Sequence, residues 1–345
     1  MNKLKKIGVS ALAGALVSFS ANAAEWNVSG QAGITMSNTN EAIGTSTFSQ
    51  DDAITVNASG QTESGLNISA KFNLEDKGNG FDEKNVAIGM DGFGTLTFHG
   101  HGGSPVMGQF DDITPKAYEE VWDVTNDGNV TTSDTVDASS SRINGIGETN
   151  NLFTYDSPVI SGVQFKAAYA TQSSAAALSD AGGNDTTGSD SKYWDWGLKF
   201  SPEMVEGLTL YYAQGERDIN TVTTGQDAEE HTIGLTYTYG PITVGYQESE
   251  EDRSGVATDN ELEQFSIAYA ITDDLTVSYG EREFDHDTSA TGSGNEVQKD
   301  TGYGVSYTMG GVSIGASFNS SDNIGGDTAA ANDVDGYEMN VSFAF

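Results

Sequence analysis

Residues 66–75 read Leu-Asn-Ile-Ser-Ala-Lys-Phe-Asn-Leu-Glu, in which apolar and polar side chains alternate. Successive side chains of a β-strand point to opposite faces, so Leu66 and Phe72 share one face while Lys71 and Glu75 share the other. A strand with one face this polar cannot lie within a dry core, because buried polar groups without partners are costly. The stretch therefore predicts a strand that separates an apolar medium from water.

The same two-residue period recurs to the end of the chain. It is clearest in four further segments, at residues 163–169, 232–239, 303–309 and 312–318. Each unit has about the 9 to 11 residues that a tilted membrane strand needs. The repetition predicts an all-β protein, a closed antiparallel transmembrane β-barrel.

The connections between these units alternate in length, which gives the strand number. Short turns are predicted at residues 63–65, 91–94, 157–162, 203–207, 240–241, 273–274 and 310–311. Longer polar links are predicted at residues 39–52, 76–83, 101–148, 172–191, 219–229, 252–259, 286–297 and 322–333. Seven turns and eight loops predict about sixteen strands, although the pattern leaves fourteen or eighteen open. The turns are expected on the periplasmic side and the loops outside. The first strand, from Glu25, would pair with the last, ending at Phe345, because closure removes exposed edges.

The N-terminus has the pattern of a secretory signal peptide. Three lysines precede the uncharged stretch 7–19 and the small-residue triplet 21–23. The apolar run is too short to span a membrane as a helix. We therefore expect residues 1–23 to be removed and residues 24–345 to form the barrel, with a retained anchor helix as the alternative.

Composition supports strands and limits the partners. Only 36% of the residues are hydrophobic, which suits a barrel that needs an apolar side chain at every second strand position. The formal net charge of −36 argues against nucleic-acid binding and suits divalent cations at a surface of anionic lipopolysaccharide. Without cysteine, disulfides cannot stabilise the fold in an oxidising compartment.

Three features make the sequence resemble the general diffusion porins of Gram-negative bacteria, especially the alphaproteobacterial type. They are the start at Trp26-Asn27-Val28-Ser29-Gly30, the longest loop after the fifth predicted strand (95–99), and the ending from Tyr337 to Phe345. The resemblance implies an outer-membrane homotrimer with its third loop folded into the pore. It also implies that Phe345 belongs to the signal read by the barrel-assembly machinery.

The segment 101–148 is too long for an ordinary link, and such loops are usually functional or disordered. It contains apolar side chains that a free surface loop would not need. They are Val106, Met107, Phe110, Ile113, Tyr118, Val121 and Trp122. We therefore expect this constriction loop to pack inside the lumen.

Charged residues of the loop and of the wall are the candidate pore lining. Strand alternation directs five cations inward: Lys71, Lys166, Lys199, Arg217 and Arg282. The resemblance implies that such wall cations face loop carboxylates across the narrowest point, here Asp111, Asp112, Glu119 and Glu120. The alternative for each residue is an ordinary solvated side chain on an inward face. The excess of acids predicts a modest preference for cations.

Residues 123–134 follow the spacing of a calcium-binding loop. The candidate ligands are Asp123, Thr125, Asp127, Asn129 and Asp134. Gly128 occupies the position of the sharp turn, and hard oxygen ligands suit Ca²⁺. Thr at the third position and Asp at the twelfth depart from the pattern, so a metal-free Asx-rich turn is the alternative.

An enzyme is not expected, because none of the four histidines belongs to a recognisable nucleophile motif. No cofactor is required for the predicted channel, Ca²⁺ being the one candidate ion. A substrate-specific channel or a surface adhesin could use the same barrel and would differ in its loops. Single-channel conductance and sugar permeation distinguish these functions.

Overall fold

The computed structural model describes residues 25–39, 46–75, 80–126, 142–172, 191–218, 227–253, 259–286, 296–326 and 333–345. It contains sixteen strands. They are β1 (Glu25–Thr39), β2 (Thr47–Gln61), β3 (Asn67–Glu75), β4 (Glu83–Met90), β5 (Gly94–His101), β6 (Leu152–Asp156), β7 (Val163–Gln172), β8 (Ser191–Phe200), β9 (Leu208–Asp218), β10 (Ala228–Tyr239), β11 (Ile242–Arg253), β12 (Asn260–Ala270), β13 (Leu275–His286), β14 (Gln298–Met309), β15 (Val312–Asp322) and β16 (Val334–Ala344). The predicted strand number is confirmed.

Every strand pairs antiparallel with its neighbours in sequence, and β1 pairs with β16, so the sheet is a closed barrel. The chain end completes the closure. The Phe345 N–H donates to the Gly30 carbonyl at 2.9 Å, and the Gly30 N–H donates to the Phe345 carbonyl at 2.7 Å. The sheet therefore has no open edge between its first and last strands.

The alternation predicted for residues 66–75 is present in β3. Ile68 and Leu74 are exposed on the outer face with the apolar side chains of the neighbouring strands. Lys71 faces inward and bonds to Glu83 of β4. The strands exist because one face meets an apolar medium and the other meets polar groups and water.

The predicted short turns are confirmed, and several depend on glycine. Gly65, Gly207, Gly240 and Gly310 have positive φ angles between 57° and 85°, which side chains rarely allow. One predicted link differs, because β2 already begins at Thr47, inside the expected loop 39–52. Its first residues pair with β1, but Gln50 and Asp52 are polar side chains on the outward face, so this part of the strand shows no apolar alternation.

Two short helices, Val106–Gln109 and Asp123–Asn126, lie in the long segment between β5 and β6. Across the described ranges, no helix has the length and apolarity needed to cross a membrane. The predicted signal peptide lies outside the described residues.

Candidate functional site: the loop-lined pore

The described parts of the segment between β5 and β6, residues 102–126 and 142–151, lie inside the barrel, as predicted, and their backbone bonds to inward side chains of the wall. The N–H of Met107 donates to Asp195 Oδ2 of β8 at 2.8 Å. Farther along, the N–H of Ile113 donates to Gln247 Oε1 of β11 at 3.0 Å. The wall thus supplies the hydrogen-bond partners that a buried irregular backbone lacks.

The same pattern continues around the wall to β16. The N–H of Ala117 donates to Ser278 Oγ of β13 at 2.9 Å. The Tyr118 hydroxyl donates to Glu338 Oε1 of β16 at 2.6 Å. The hydrogen bonds of the described loop therefore follow the wall from β7 to β16, and helix Asp123–Asn126 also lies beside β1. Most of the inward face of β1–β5 lies across the lumen from these contacts.

Apolar contacts fix the first half of the loop. Val106, Met107 and Phe110 are buried in a cluster with Leu152 of β6 and Tyr193 of β8. Phe110 also packs edge-on against Tyr211 of β9, with ring centroids 5.3 Å apart. These contacts explain why the loop carries apolar residues at all, since each would cost free energy if exposed to the aqueous lumen.

Inward-facing glycines of the wall accommodate the loop, a feature that the sequence reasoning missed. They are Gly197, Gly215, Gly234, Gly245, Gly280, Gly302, Gly304 and Gly315. A β carbon at Gly197 would lie 2.7 Å from Val106 Cγ1, and one at Gly280 would lie 2.5 Å from Val121 Cγ1. We call these eight residues the glycine track. Glycine at inward positions of β8–β11 and again of β13–β15 is the sequence signal that could have revealed it.

The ring of Trp122, a residue of the loop, contacts two guanidinium groups. The Arg142 guanidinium carbon is 4.3 Å from the Trp122 ring centroid and that of Arg282 is 4.7 Å from it. Arg282 also forms an ion pair of 2.6 Å with Asp300. Such cation–π contacts gain strength when water is excluded.

This arrangement corrects the prediction that Arg282 lines the open pore. Its side chain is only 1% exposed, because Trp122 lies over it. Its charge is balanced by Asp300, whose side chain is fully buried. Arg282 therefore holds the loop against the wall rather than meeting solutes.

The other four predicted wall cations face inward on β3, β7, β8 and β9, and Lys166 and Lys199 are diagonal neighbours on two paired strands. Lys71 of β3 pairs with Glu83, and Lys166 of β7 pairs with Asp156. Arg217 of β9 pairs with Glu251 at 3.0 Å. The remaining cation is Lys199 of β8, whose Nζ lies 5.7 Å from the centroid of the Tyr211 ring. The structure does not bring the five cations together into one cluster opposite the loop.

The predicted loop carboxylates differ in their surroundings. Asp112 Oδ1 accepts bonds from the Thr114 hydroxyl at 2.7 Å and from Gln264 Nε2 at 3.0 Å. Burial, aided by neighbouring Asp112, raises the pKa of Asp111 to about 6. Glu120 pairs with Lys116 of the loop.

Glu119 and Glu120 lie close to Asp123, with one carboxylate oxygen of each within 4.8 Å of the others. Burial also raises the pKa of Glu148, near the return of the loop to β6, and the nearby charge of Asp82 adds to the effect. The described loop thus concentrates negative charge, and two of its carboxyls titrate above their usual range.

Only two of the five candidate calcium ligands lie in the described part of the chain. Asp123 begins the helix Asp123–Asn126. Thr125 is buried, and its hydroxyl lies 2.5 Å from Ser321 Oγ and 3.2 Å from the Trp122 carbonyl. Asp127, Asn129 and Asp134 lie outside the described residues. The calcium site stays a prediction.

Phe345 directly follows the last strand, and its ring lies on the outer face, 76% exposed. The ring lies over Gly30 of β1, where an added β carbon would be 2.6 Å from Phe345 Cε2. This is the position expected of an outward aromatic side chain at a membrane boundary. Its role as an assembly signal stays a prediction.

The chain was compared with protein-family models and with curated protein sequences. Residues 8–299 match the family model described as Gram-negative porin. No curated protein sequence matches the chain.

Many solved structures share the fold. One is an anion-selective porin from Comamonas acidovorans, with 14% identity, a TM-score of 0.67, and coverage of 94% of this chain and 100% of that chain. A second is OmpT, an outer membrane protein of Vibrio cholerae, in a trimer form, with 13% identity, a TM-score of 0.64 and coverage of 94% and 100%. A third is a mutant Rh. blastica porin, with 14% identity, a TM-score of 0.57 and coverage of 93% and 100%. Identities this low establish the shared fold only.

Proposed function

Because the chain belongs to the Gram-negative porin family, whose members are outer-membrane channels for passive diffusion, we propose that its pore passes small hydrophilic solutes with a modest preference for cations. The closed barrel and the loop within it agree with that function. The preference for cations is a property of this chain's own pore lining.

The pairing of the wall cations carries the proposal. Lys71, Lys166 and Arg217 each lie beside a carboxylate of the wall, so each contributes little net positive charge to the lumen. The described loop adds its acidic side chains, with Lys116 paired to one of them. A lumen with this excess of carboxylates concentrates cations and repels anions.

A structure of the same fold, from Comamonas acidovorans, is described as an anion-selective porin, so the fold alone does not predict a preference for cations. The lining charges must therefore decide it. Reversal potentials of the purified protein in planar bilayers under a salt gradient test the proposal directly. We expect the sign of a cation-preferring pore, and an anion-preferring reversal potential would overturn it.

A pair of matched variants locates the effect. Replacing both Glu119 and Glu120 with Gln removes two charges from the loop, so the reversal potential should move toward that of a neutral pore. Replacing both Glu261 and Glu263 with Gln removes two charges from the outer face of β12 and should change the reversal potential much less. Equal shifts in the two variants would show that the loop does not set selectivity.

We also propose a homotrimer, because the family resemblance implies one and the similar OmpT structure has a trimer form. The molar mass of the detergent-solubilised protein from light scattering tests this assembly, and a monomer would contradict it.

The other proposed partners are lipid and lipopolysaccharide, which would surround the apolar outer face, and the barrel-assembly machinery, which would read Phe345. We propose neither an enzymatic activity nor a required cofactor, since passive diffusion needs no catalytic group.

A further inference from the structure

The wall opposite the constriction loop carries a row of nearly neutral polar side chains. The strand register aligns Asn27 of β1 with Asn57 of β2, then Lys71 of β3, Asn85 of β4 and His99 of β5. All five positions lie on the inward face of the barrel wall. Neighbours across a sheet are about 5 Å apart, so three amides and one ammonium form a continuous strip. The strip ends at the His99 imidazole, whose Nε2 is bonded to the Thr154 hydroxyl at 3.0 Å. We call it the amide row.

The rows on either side have similar chemistry. Ser29, Thr55 and Asn73 are aligned on one side, with a hydrogen bond of 2.9 Å from Thr55 Oγ1 to Asn73 Oδ1. Toward the periplasmic end, Gln61 is aligned with Asn67, and Gln61 Nε2 donates to Asn67 Oδ1 at 3.1 Å. Amide and hydroxyl groups both donate and accept hydrogen bonds, as water and sugar hydroxyls do.

Positive charge is scarce on this wall. Among the inward-facing positions of β1–β5, Lys71 is the one lysine or arginine, and it bonds to Glu83. The sequence contains no arginine before Arg142. Glu25, Asp51 and Glu75 share the inward face, so the fixed charge here is negative. An anionic solute that loses water in the pore meets no unpaired cation on this wall to replace that water.

We propose that the amide row makes this pore favour uncharged polyhydroxylated solutes over anionic solutes of the same size. This inference rests on the proposed function and adds a solute class to it. A sugar exchanges hydrogen bonds with water for hydrogen bonds with the amides, at little net cost. A carboxylate of equal size is repelled by the loop on one side and gains no cation on the other.

The amide row should also let sugars pass without binding them tightly. No tyrosine, tryptophan or phenylalanine lies on the inward face of β1–β5 within the described residues. Sugars would therefore find hydrogen bonds but no aromatic platform there. Uptake should rise linearly with solute concentration.

The test uses entry of labelled glucose and labelled gluconate into proteoliposomes with the membrane potential clamped. We expect glucose to enter several-fold faster than gluconate. Asn57→Arg adds a cation to the amide row and should raise gluconate entry toward that of glucose, as should Asn85→Arg. Gln50→Arg, on the outward face of the same strand as Asn57, should leave the ratio unchanged.

Equal entry of the two solutes into wild-type proteoliposomes would overturn the inference and leave the channel function intact. An unchanged ratio in both inward variants, with barrel insertion verified by conductance, would overturn it as well. If wild-type protein admits neither solute, the proposed channel itself fails. These outcomes are therefore distinguishable.

Discussion

Pro115 of the constriction loop occupies the space where a side chain at Gly245 would lie. A β carbon built on Gly245 would be 2.5 Å from Pro115 Cδ and 3.0 Å from Thr114 Cα. Since one of these atoms is backbone, a side-chain rotation cannot relieve the overlap. The glycine track thus sets how closely the loop approaches the wall, and with it the width left for solutes.

Gly245→Ala should push the loop into the lumen and lower single-channel conductance. Overpacking of this kind costs about 1–3 kcal/mol, so the thermal unfolding midpoint should fall as well. Gly89→Ala is the control. Gly89 also lies on the inward face, on β4, but the atom nearest to an added β carbon there would be the Thr95 hydroxyl of the wall, at 3.2 Å, and no loop atom. Conductance that is the same in both variants would show that the track does not position the loop.

The buried ion pair under Trp122 should stabilise the loop and the barrel together. Asp300→Ala removes the carboxylate that pairs with the buried Arg282 guanidinium, and breaking a buried ion pair in this way costs about 3–5 kcal/mol. The circular-dichroism signal of the strands in detergent should then be lost at a lower temperature. Glu283→Ala breaks the exposed pair with Lys299 and should leave the midpoint nearly unchanged. Equal midpoints in the two variants would contradict this role.

Cation preference should depend on pH through Asp111. With a pKa of about 6, its carboxyl is charged at pH 7.5 and largely neutral at pH 5. Lowering the pH therefore removes negative charge from the loop, and reversal potentials should show weaker cation preference at pH 5. Asp111→Asn should reduce that difference, because its side chain is neutral at both values. An undiminished pH effect in the variant would assign it to other groups.

Calcium binding is expected from the spacing of residues 123–134. Titration calorimetry of the purified protein with CaCl₂ should show heat of binding that Asp127→Ala removes. Asp137→Ala, outside the twelve-residue pattern, is the matched control and should keep it. Absence of binding heat in the wild-type protein would leave the segment as an Asx-rich turn.

Side-chain directions were predicted from the sequence more reliably than burial. The periodicity of residues 66–75 predicted the faces of β3 correctly, because side-chain direction in a strand follows from local geometry. The apolar residues of the loop predicted its packing inside the barrel, and Phe110 and Trp122 are buried there. Arg282 shows the limit, since its inward direction was predicted but its burial was not.

The sequence by itself determined the barrel, its strand number to within about two, and the lumenal position of the loop. Each depends on alternation, turn residues or chain length, which are local properties. Only the tertiary structure decided which wall the loop covers and which charges remain in contact with water. Asp300 neutralises Arg282, and Lys71 lies in a row of amides, because strands far apart in sequence are brought side by side. Pore chemistry is a property of that long-range pairing, which no single segment encodes.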